Sequence, residues 1–290
     1  MNTNEKVFEL LEQTGLNWTV EKNQLVDKSG KETNSFGIFR KDNGNWLGTV
    51  GDRYTTLQNF ELAEILVNAT EGIGIEIEKG GQLYDGGKVF LQAKLPDEFI
   101  GKSSVKRWIT TLNSHDGSSS VGFGSSNNVV VCSNSFYRIH GELQKFRHTS
   151  SMKERIAIAQ KDLRATMKLD EELMVTFKRM ADAPLKDEAI ERVLRKIFDV
   201  SPDKQQGEIS SRKKNQINDF ATSLNTSIGE QGKTIWALFN GVTRYTNHMA
   251  APVEQNKKLD YLIANGGATI SNKAFEALKS FVEESTPSYV

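Results

Sequence analysis

The hydrophobic pattern of this chain changes period near residue 150, and that change constrains the fold more than any other feature. Before it, short runs alternate every second residue, as half-buried strands do. They are Leu16 to Val20, Phe36 to Arg40, Trp46 to Arg53, Ile73 to Lys79, Lys88 to Leu95 and Val105 to Asn113, and Ser119 to Gly124 and Val129 to Asn134 extend the same character. Asp42-Asn43-Gly44-Asn45 and Asp85-Gly86-Gly87 supply turns between them. Asn23 to Ser35 reads as polar and turn-rich. Two helices are predicted in this half: Asn4 to Thr14, stopped by Gly15, and Asn59 to Ala69. Asn59 would cap the second, with Phe60, Leu62, Ala63, Ile65 and Leu66 on its buried face.

After residue 150 the spacing becomes three and four. Met152, Ile156, Ala159, Leu163, Met167, Leu173, Phe177 and Met180 predict one long helix or a kinked pair. Further helices fit Asp187–Asp199, Ser211–Ser227, Gly232–His248, Asn256–Ala264 and Ser271–Glu284. The expected fold class is therefore α+β, an N-terminal antiparallel β-meander with packed helices over 1–150 followed by a helical region over 151–290. A chain of 290 residues can bury a large core as one big domain or two ordinary ones.

No run of about 18 apolar residues is present to cross a membrane. The N-terminus carries acids where a secretion signal needs bases. The single cysteine, Cys132, excludes an internal disulfide and suits a reducing compartment. The expectation is a cytoplasmic protein without membrane contact.

The formal net charge is zero, but the charge is segregated. Residues 1–100 carry 10 basic and 16 acidic side chains, residues 101–168 carry 11 and 4, and residues 169–290 carry 16 and 17. The basic middle is compatible with a nucleic-acid footprint, and equally with pairing against the acidic first third, within or between subunits.

Catalytic motifs are thin. Gly229-Glu230-Gln231-Gly232-Lys233-Thr234 looks like a phosphate loop, but Ser227 stands where a Walker A glycine is needed and no buried strand precedes it. A helix N-terminus with a glycine-rich entry is the plainer reading. His115, Asp116 and Ser118 hold the groups of a hydrolase triad but lie too close in sequence to approach one substrate from different sides. The four histidines and one cysteine make no metal-ligand spacing. No catalytic residue, metal or cofactor is therefore expected. The polar run Asn113 to Ser120 is either an anion-binding nest or an Asp-Gly turn. Lys102 to Lys168 interleaves cations with Trp108, Phe123, Phe136, Tyr137 and Phe146, the combination a single-strand binder uses for phosphates and bases, although the aromatic residues also suit strand cores.

Several stretches resemble a phage/plasmid-like family built on a domain of unknown function. They are Val50-Gly51-Asp52-Arg53-Tyr54 with Leu57-Gln58-Asn59, Leu112 to Ser119, Phe146-Arg147-His148-Thr149, and Thr234 to Asn240 with Thr243 and Asn247-His248. The helix, three strands and long basic helix also look like the α-β-β-β-α core of Rad-type single-strand annealing proteins. That resemblance implies an oligomer, often a ring, that binds single-stranded DNA and anneals complementary strands without ATP or metal. The extra strands near Ser119–Asn134 and those before Asn59 depart from the simplest core. Phosphate contacts are expected from Lys106, Arg107, Arg138, Lys145, Arg147, Lys153 and Arg155, with Asn113, His115 and Ser118 helping through the turn. Asp52 and Arg53 are expected to form a strand-end salt bridge. The helical region would serve assembly or recruit a host single-strand-binding protein. The alternatives are a protein-binding accessory factor of the mobile element, for anti-defence or replication, and a nuclease or nucleotide-processing enzyme.

Overall fold

A computed structural model of the chain describes residues 3–70, 77–129, 134–139, 145–146, 148–200, 209–263 and 265–284. The chain is α+β, as expected, with antiparallel sheets in the first half and helices dominating the second. It divides into two compact units that are not sequential blocks. The first comprises Met1–Leu95, Trp108–Ser125 and Ile139–Leu169, and the second comprises Pro96–Arg107, Ser126–Arg138 and Asp170–Val290.

In the first unit, helix α1 (Thr3–Thr14) precedes a three-stranded antiparallel sheet of β1 (Val20–Val26), β2 (Glu32–Arg40) and β3 (Trp46–Gly51), in the order β1-β2-β3. The polar stretch after Asn23 is thus mostly strand rather than loop. Its strand character is hidden because Asn23, Gln24 and Asn34 are exposed, so no apolar alternation marks it. The turn is set by Asp27, whose carboxylate accepts from the backbone N–H of Ser29 and of Lys31, with Gly30 at φ 82°. The strand expected over residues 16–20 begins only at Val20. Leu16 and Trp18 before it are buried in irregular backbone. Asp52 and Arg53 do not form the expected ion pair: the Asp52 carboxylate accepts from the Arg53 backbone N–H, and both residues are exposed.

Helix α2 (Asn59–Thr70) buries Leu62, Ala63, Ile65, Leu66 and Val67, while Phe60 rests against Phe8 of α1 with ring centroids 5.3 Å apart. Its cap differs from the expectation. Glu61 reaches back to the backbone N–H of Gln58, which frees the Asn59 carboxamide to face inward. Gln58 also grips both backbone groups of Val20 and so fixes where β1 starts. Leu10, Leu11, Ile38, Val50, Leu62, Leu66, Val89, Leu91 and Ile109 belong to one core.

A second sheet follows the order β4 (Ile77–Leu83), β5 (Lys88–Ile100), β6 (Ser103–Ser114), β7 (Val121–Val129) and β8 (Asn134–Ile139), and the short β9 (Lys145–Phe146) pairs with β7. Strand β4 is described from Ile77, within the strand expected over Ile73 to Lys79, and residues 73–76 of that expectation lie outside the described residues. β4 pairs antiparallel with β5, with Lys79 opposite Gln92. The alternation of β5 sends Val89, Leu91 and Ala93 into the core and leaves Gln92 and Lys94 on the other face. The chain passes between the two units within β5, β6, β7, β8 and α3 (Met152–Asp182), an unbroken helix of 31 residues.

The second unit carries α4 (Asp187–Phe198), α5 (Ser211–Gln231), α6 (Ile235–Arg244), a π-turn (Tyr245–Met249), α7 (Gln255–Ile263) and α8 (Gly266–Glu284). Phe177 sits at the centre of its core, with the rings of Trp236, Phe239 and Phe275 at 4.7, 5.4 and 5.9 Å. The phosphate-loop lookalike is the entry to α6. Gly232 turns the chain at φ 83°, and the Thr234 hydroxyl accepts from the Ala237 N–H, which consumes the donor a phosphate would use.

Arg107, expected to contact phosphate, is instead interior. Its Nε and Nη2 both donate to Asp170 Oδ2, at 2.7 and 2.6 Å, and its Nη1 donates to the Pro96 carbonyl at 3.3 Å. Breaking such a pair strands one buried charge and typically costs about 3–5 kcal/mol, whereas replacing both partners with apolar groups is often neutral. In urea unfolding, Arg107→Ala is expected to lose roughly that amount, and the pair Arg107→Met with Asp170→Leu to recover most of it. A loss below about 1 kcal/mol in the single variant, the worth of an exposed pair, would contradict this placement.

Candidate functional site

The residues that the sequence singled out fall into three groups. Asn113 and His115 are fully buried in a polar hub of the first unit. The Asn59 carboxamide organises it: Nδ2 donates to the carbonyls of Leu16 and Trp18 at 3.0 and 3.1 Å. Its oxygen must therefore be the acceptor for His115 Nε2 at 2.9 Å, so His115 carries its proton on Nε2. Asn113 Nδ2 donates to the Leu57 carbonyl at 3.0 Å. The Trp18 ring lies 5.3 Å from His115 on one side, and the Arg40 guanidinium lies 4.1 Å over Trp18. Arg40 in turn holds the carbonyl of Asp85 at 3.0 Å. Tyr84 and Asp85 occupy the left-handed region at φ 53° and 54°, a strained pair that precedes Gly86 at φ 108°. A Cβ at Gly86 would come within 2.8 Å of the Trp18 ring.

His148 makes a second link. Its Nδ1 donates to the Thr55 carbonyl at 3.0 Å, the Thr55 N–H returns a bond to the His148 carbonyl at 3.1 Å, and its ring stacks on Tyr54 at 4.6 Å. The Tyr54 hydroxyl donates to the Ser114 carbonyl at 2.6 Å. Burial, with Asp116 nearby, raises the Tyr54 pKa. His115 Nδ1 and His148 Nε2 have no hydrogen-bond partner and are buried. Burial, reinforced by His148, pushes the His115 pKa down to about 3, and burial lowers that of His148. Both are therefore neutral near pH 7 and poorly suited to acid–base work.

The turn after His115 satisfies itself. The Asp116 carboxylate accepts from the Ser114 hydroxyl and from the Ser118 backbone N–H at 2.8 Å, while Gly87 O accepts from the N–H groups of His115 and Asp116 at 2.8 and 3.1 Å. This is the Asp-Gly turn rather than an open anion nest, because its own carboxylate occupies the Ser118 donor. Nor does a triad form, since His115 is oriented by Asn59 and Asp116 by its own turn. Ser118 is exposed. Among the described residues, no three His, Cys, Asp or Glu side chains group to hold a metal ion.

The third group is cationic. Lys106 is exposed on β6. The side chains of Arg138 on β8, Lys145 on β9, and Lys153 and Arg155 on α3 lie outside what the structure describes, as does the whole of Arg147. Sequence reading missed an arrangement in the first unit: the ammoniums of Lys79 and Lys94 both lie over the Trp108 ring, each 4.7 Å from its centroid. Trp108 is only 7% exposed, so it is a strand-core residue as well as a cation holder. The three residues stand 15 and 14 positions apart, and only strand pairing brings them together.

The buried histidines set a pH dependence. An imidazole whose pKa is lower folded than unfolded takes its proton more readily in the unfolded chain. The stabilisation is complete above the ordinary value of 6.5 and is lost as pH falls from there toward 3. Unfolding free energy measured by urea titration should fall on acidification below pH 6.5, by up to about 1.4 kcal/mol per pH unit from His115. His115→Gln should flatten that slope; an unchanged slope would show that His115 is not the titrating group.

No helix among the described residues is long and apolar enough to cross a membrane. No curated protein and no solved structure matches the chain. Residues 46–265, well over half its length, match the family described as a domain of unknown function, DUF932. The match takes in β3, Asn59 and His115 of the polar hub, Lys79, Lys94 and Trp108, and the π-turn of the second unit. The chain belongs to the DUF932 family.

Proposed function

We propose that the chain binds single-stranded DNA through the cations of its middle segment and promotes annealing of complementary strands, without nucleotide or metal, as a homo-oligomer encoded by a phage or plasmid. The observation that carries this reading is the segregation of charge, 11 basic against 4 acidic side chains over residues 101–168. Such a surplus attracts a polyanion by releasing its counterions, and the attraction needs no sequence-specific contact. The first half of α3 adds to it. Residues 152–168 hold five bases and two acids, and two of those bases, Lys153 and Arg155, with one acid, Glu154, stand in the first turn, where the dipole disfavours positive side chains.

The polar hub supports this reading only indirectly, by fixing the β6 end and the segment that leads into α3. A second reading, a protein-binding accessory factor of the mobile element, draws on the same segregation of charge, with the acidic residues 1–100 and the basic residues 101–168 serving subunit contacts.

Titration of a fluorescent single-stranded oligonucleotide over a salt series, without nucleotide or metal, separates the two. Binding that weakens steeply with salt, faster annealing in the same samples, and loss of both in Arg147→Ala and Arg155→Ala are expected. No binding at low salt would overturn the DNA reading and leave the protein-partner one.

A further inference from the structure

We propose that the outer edge of β1 is a homodimer interface, on which the β1 of a second copy of this chain pairs antiparallel about a two-fold axis centred on Asn23. The inference goes beyond the reading above, which calls for an oligomer without naming a surface for it, and does not depend on DNA being bound.

β1 is the end strand of its sheet, and among the described residues it pairs with β2 alone. Which of its backbone groups point outward follows from Val20. Gln58 Oε1 accepts from the Val20 N–H at 3.0 Å, and Gln58 Nε2 donates to the Val20 carbonyl at 2.9 Å, so Val20 turns both groups away from β2. Thr19 turns the other way, since its carbonyl accepts from the Lys41 N–H at 2.9 Å. Alternation then faces Glu21 and Asn23 toward β2, and Lys22 and Gln24 outward. The Gln58 carboxamide stands in for a neighbouring strand at Val20 and reaches no further along the edge. Asn23, Gln24 and Val26 are exposed.

An edge of unpaired N–H and C=O groups is a template for another strand, and proteins usually guard it with a proline, a lysine or a covering element. The opposite edge of this sheet is covered: a Cβ at Gly48 of β3 would come within 2.6 Å of the Asp116 carbonyl. β1 has no proline, and its lysine is drawn away from the edge. Lys22 Nζ lies 4.3 Å over the Phe36 ring of β2 and donates to the carbonyls of Asp52 and Tyr54, which follow β3, at 2.6 and 2.9 Å.

The edge suits a second copy because what it offers is short and self-complementary. Gln58 closes it at Val20, and the register breaks between Gln24 and Val26. Lys22 and Gln24 remain, one on either side of Asn23. In the two-fold pair, Lys22 of each copy exchanges both backbone bonds with Gln24 of the other, and the two Asn23 residues meet as a non-hydrogen-bonded pair. Centring the axis on Lys22 instead would set two lysines opposite each other and would need the Val20 groups that Gln58 holds. Both edges are consumed, so the pairing closes at a dimer. So short a ladder predicts a dimer that dissociates on dilution.

The test is sedimentation equilibrium of the full chain over a concentration series, without DNA. The parent's mass should rise with concentration from 32.4 kDa toward twice that value. Gln24→Pro removes an outward N–H and spares the β1–β2 ladder, a place where an edge strand tolerates proline, so it should fold and stay monomeric. Asn23→Cys, in a Cys132→Ser background, sets two thiols across the axis with Cα atoms about 4.5 Å apart, within disulfide reach. Mild oxidation should link two such chains, and should not link Glu188→Cys, an exposed α4 position, in the same background. Far-ultraviolet circular dichroism and thermal melting confirm that each variant is folded; if Gln24→Pro is not, the Asn23→Cys cross-link decides. A parent that stays monomeric, or an association unchanged in folded Gln24→Pro, overturns the interface and leaves DNA binding to its own titration. A dimer that behaves as expected but binds no oligonucleotide overturns the DNA reading and leaves the interface standing.

Discussion

The first unit depends on one carboxamide. Asn59 stands at the start of α2, and its side chain satisfies the carbonyls of Leu16 and Trp18 on the approach to β1 while accepting from His115 at the end of β6. Three chain segments more than 40 residues apart are joined at one residue that is 1% exposed. Buried backbone polar groups without a partner are costly, so removing the carboxamide would strip the Trp18 carbonyl and the His115 imidazole N–H of this partner together, while the Leu16 carbonyl would keep the Trp18 N–H. The neighbouring pieces follow from that join. Trp18 is fixed between Arg40 and His115, Arg40 is thereby aimed at Asp85, and the strained Tyr84–Asp85 turn is held from outside.

Close backbone packing completes the arrangement. A Cβ at Gly48 would come within 2.6 Å of the Asp116 carbonyl, so β3 and the turn after His115 can approach only because that side chain is absent. The turn itself is closed by its own aspartate. A site that consumes its donors and keeps its histidines neutral is built for shape.

Where side chains obey a period, the sequence was legible. The helices after residue 150, the helix at Asn59 and the strand runs around Lys88 and Val105 follow spacings of 3.6 and 2 closely enough to be read directly. The strands at Val20–Val26 and Glu32–Arg40 were obscured because their outer face is polar and only the pairing register reveals them. Asn59 was legible as a helix-start residue but not as a tertiary clamp, because a cap and a clamp use the same side chain. Arg107 looked like any other base of the middle segment until its partner, 63 residues away, came into view. Lys79 and Lys94 carry no local motif, and their meeting over Trp108 is a property of strand pairing alone.

We propose that the frame set by these contacts serves to present the basic middle segment of this chain to single-stranded DNA. The most direct check is lysine acetylation footprinting, read by mass spectrometry, with and without saturating oligodeoxythymidine. Protection should concentrate on Lys106, Lys145 and Lys153, while Lys196 and Lys273 beside the α4–α8 cleft keep their reactivity. Protection confined to the lysines of α4 and α8, or none at all under conditions where the oligonucleotide binds, would contradict the account.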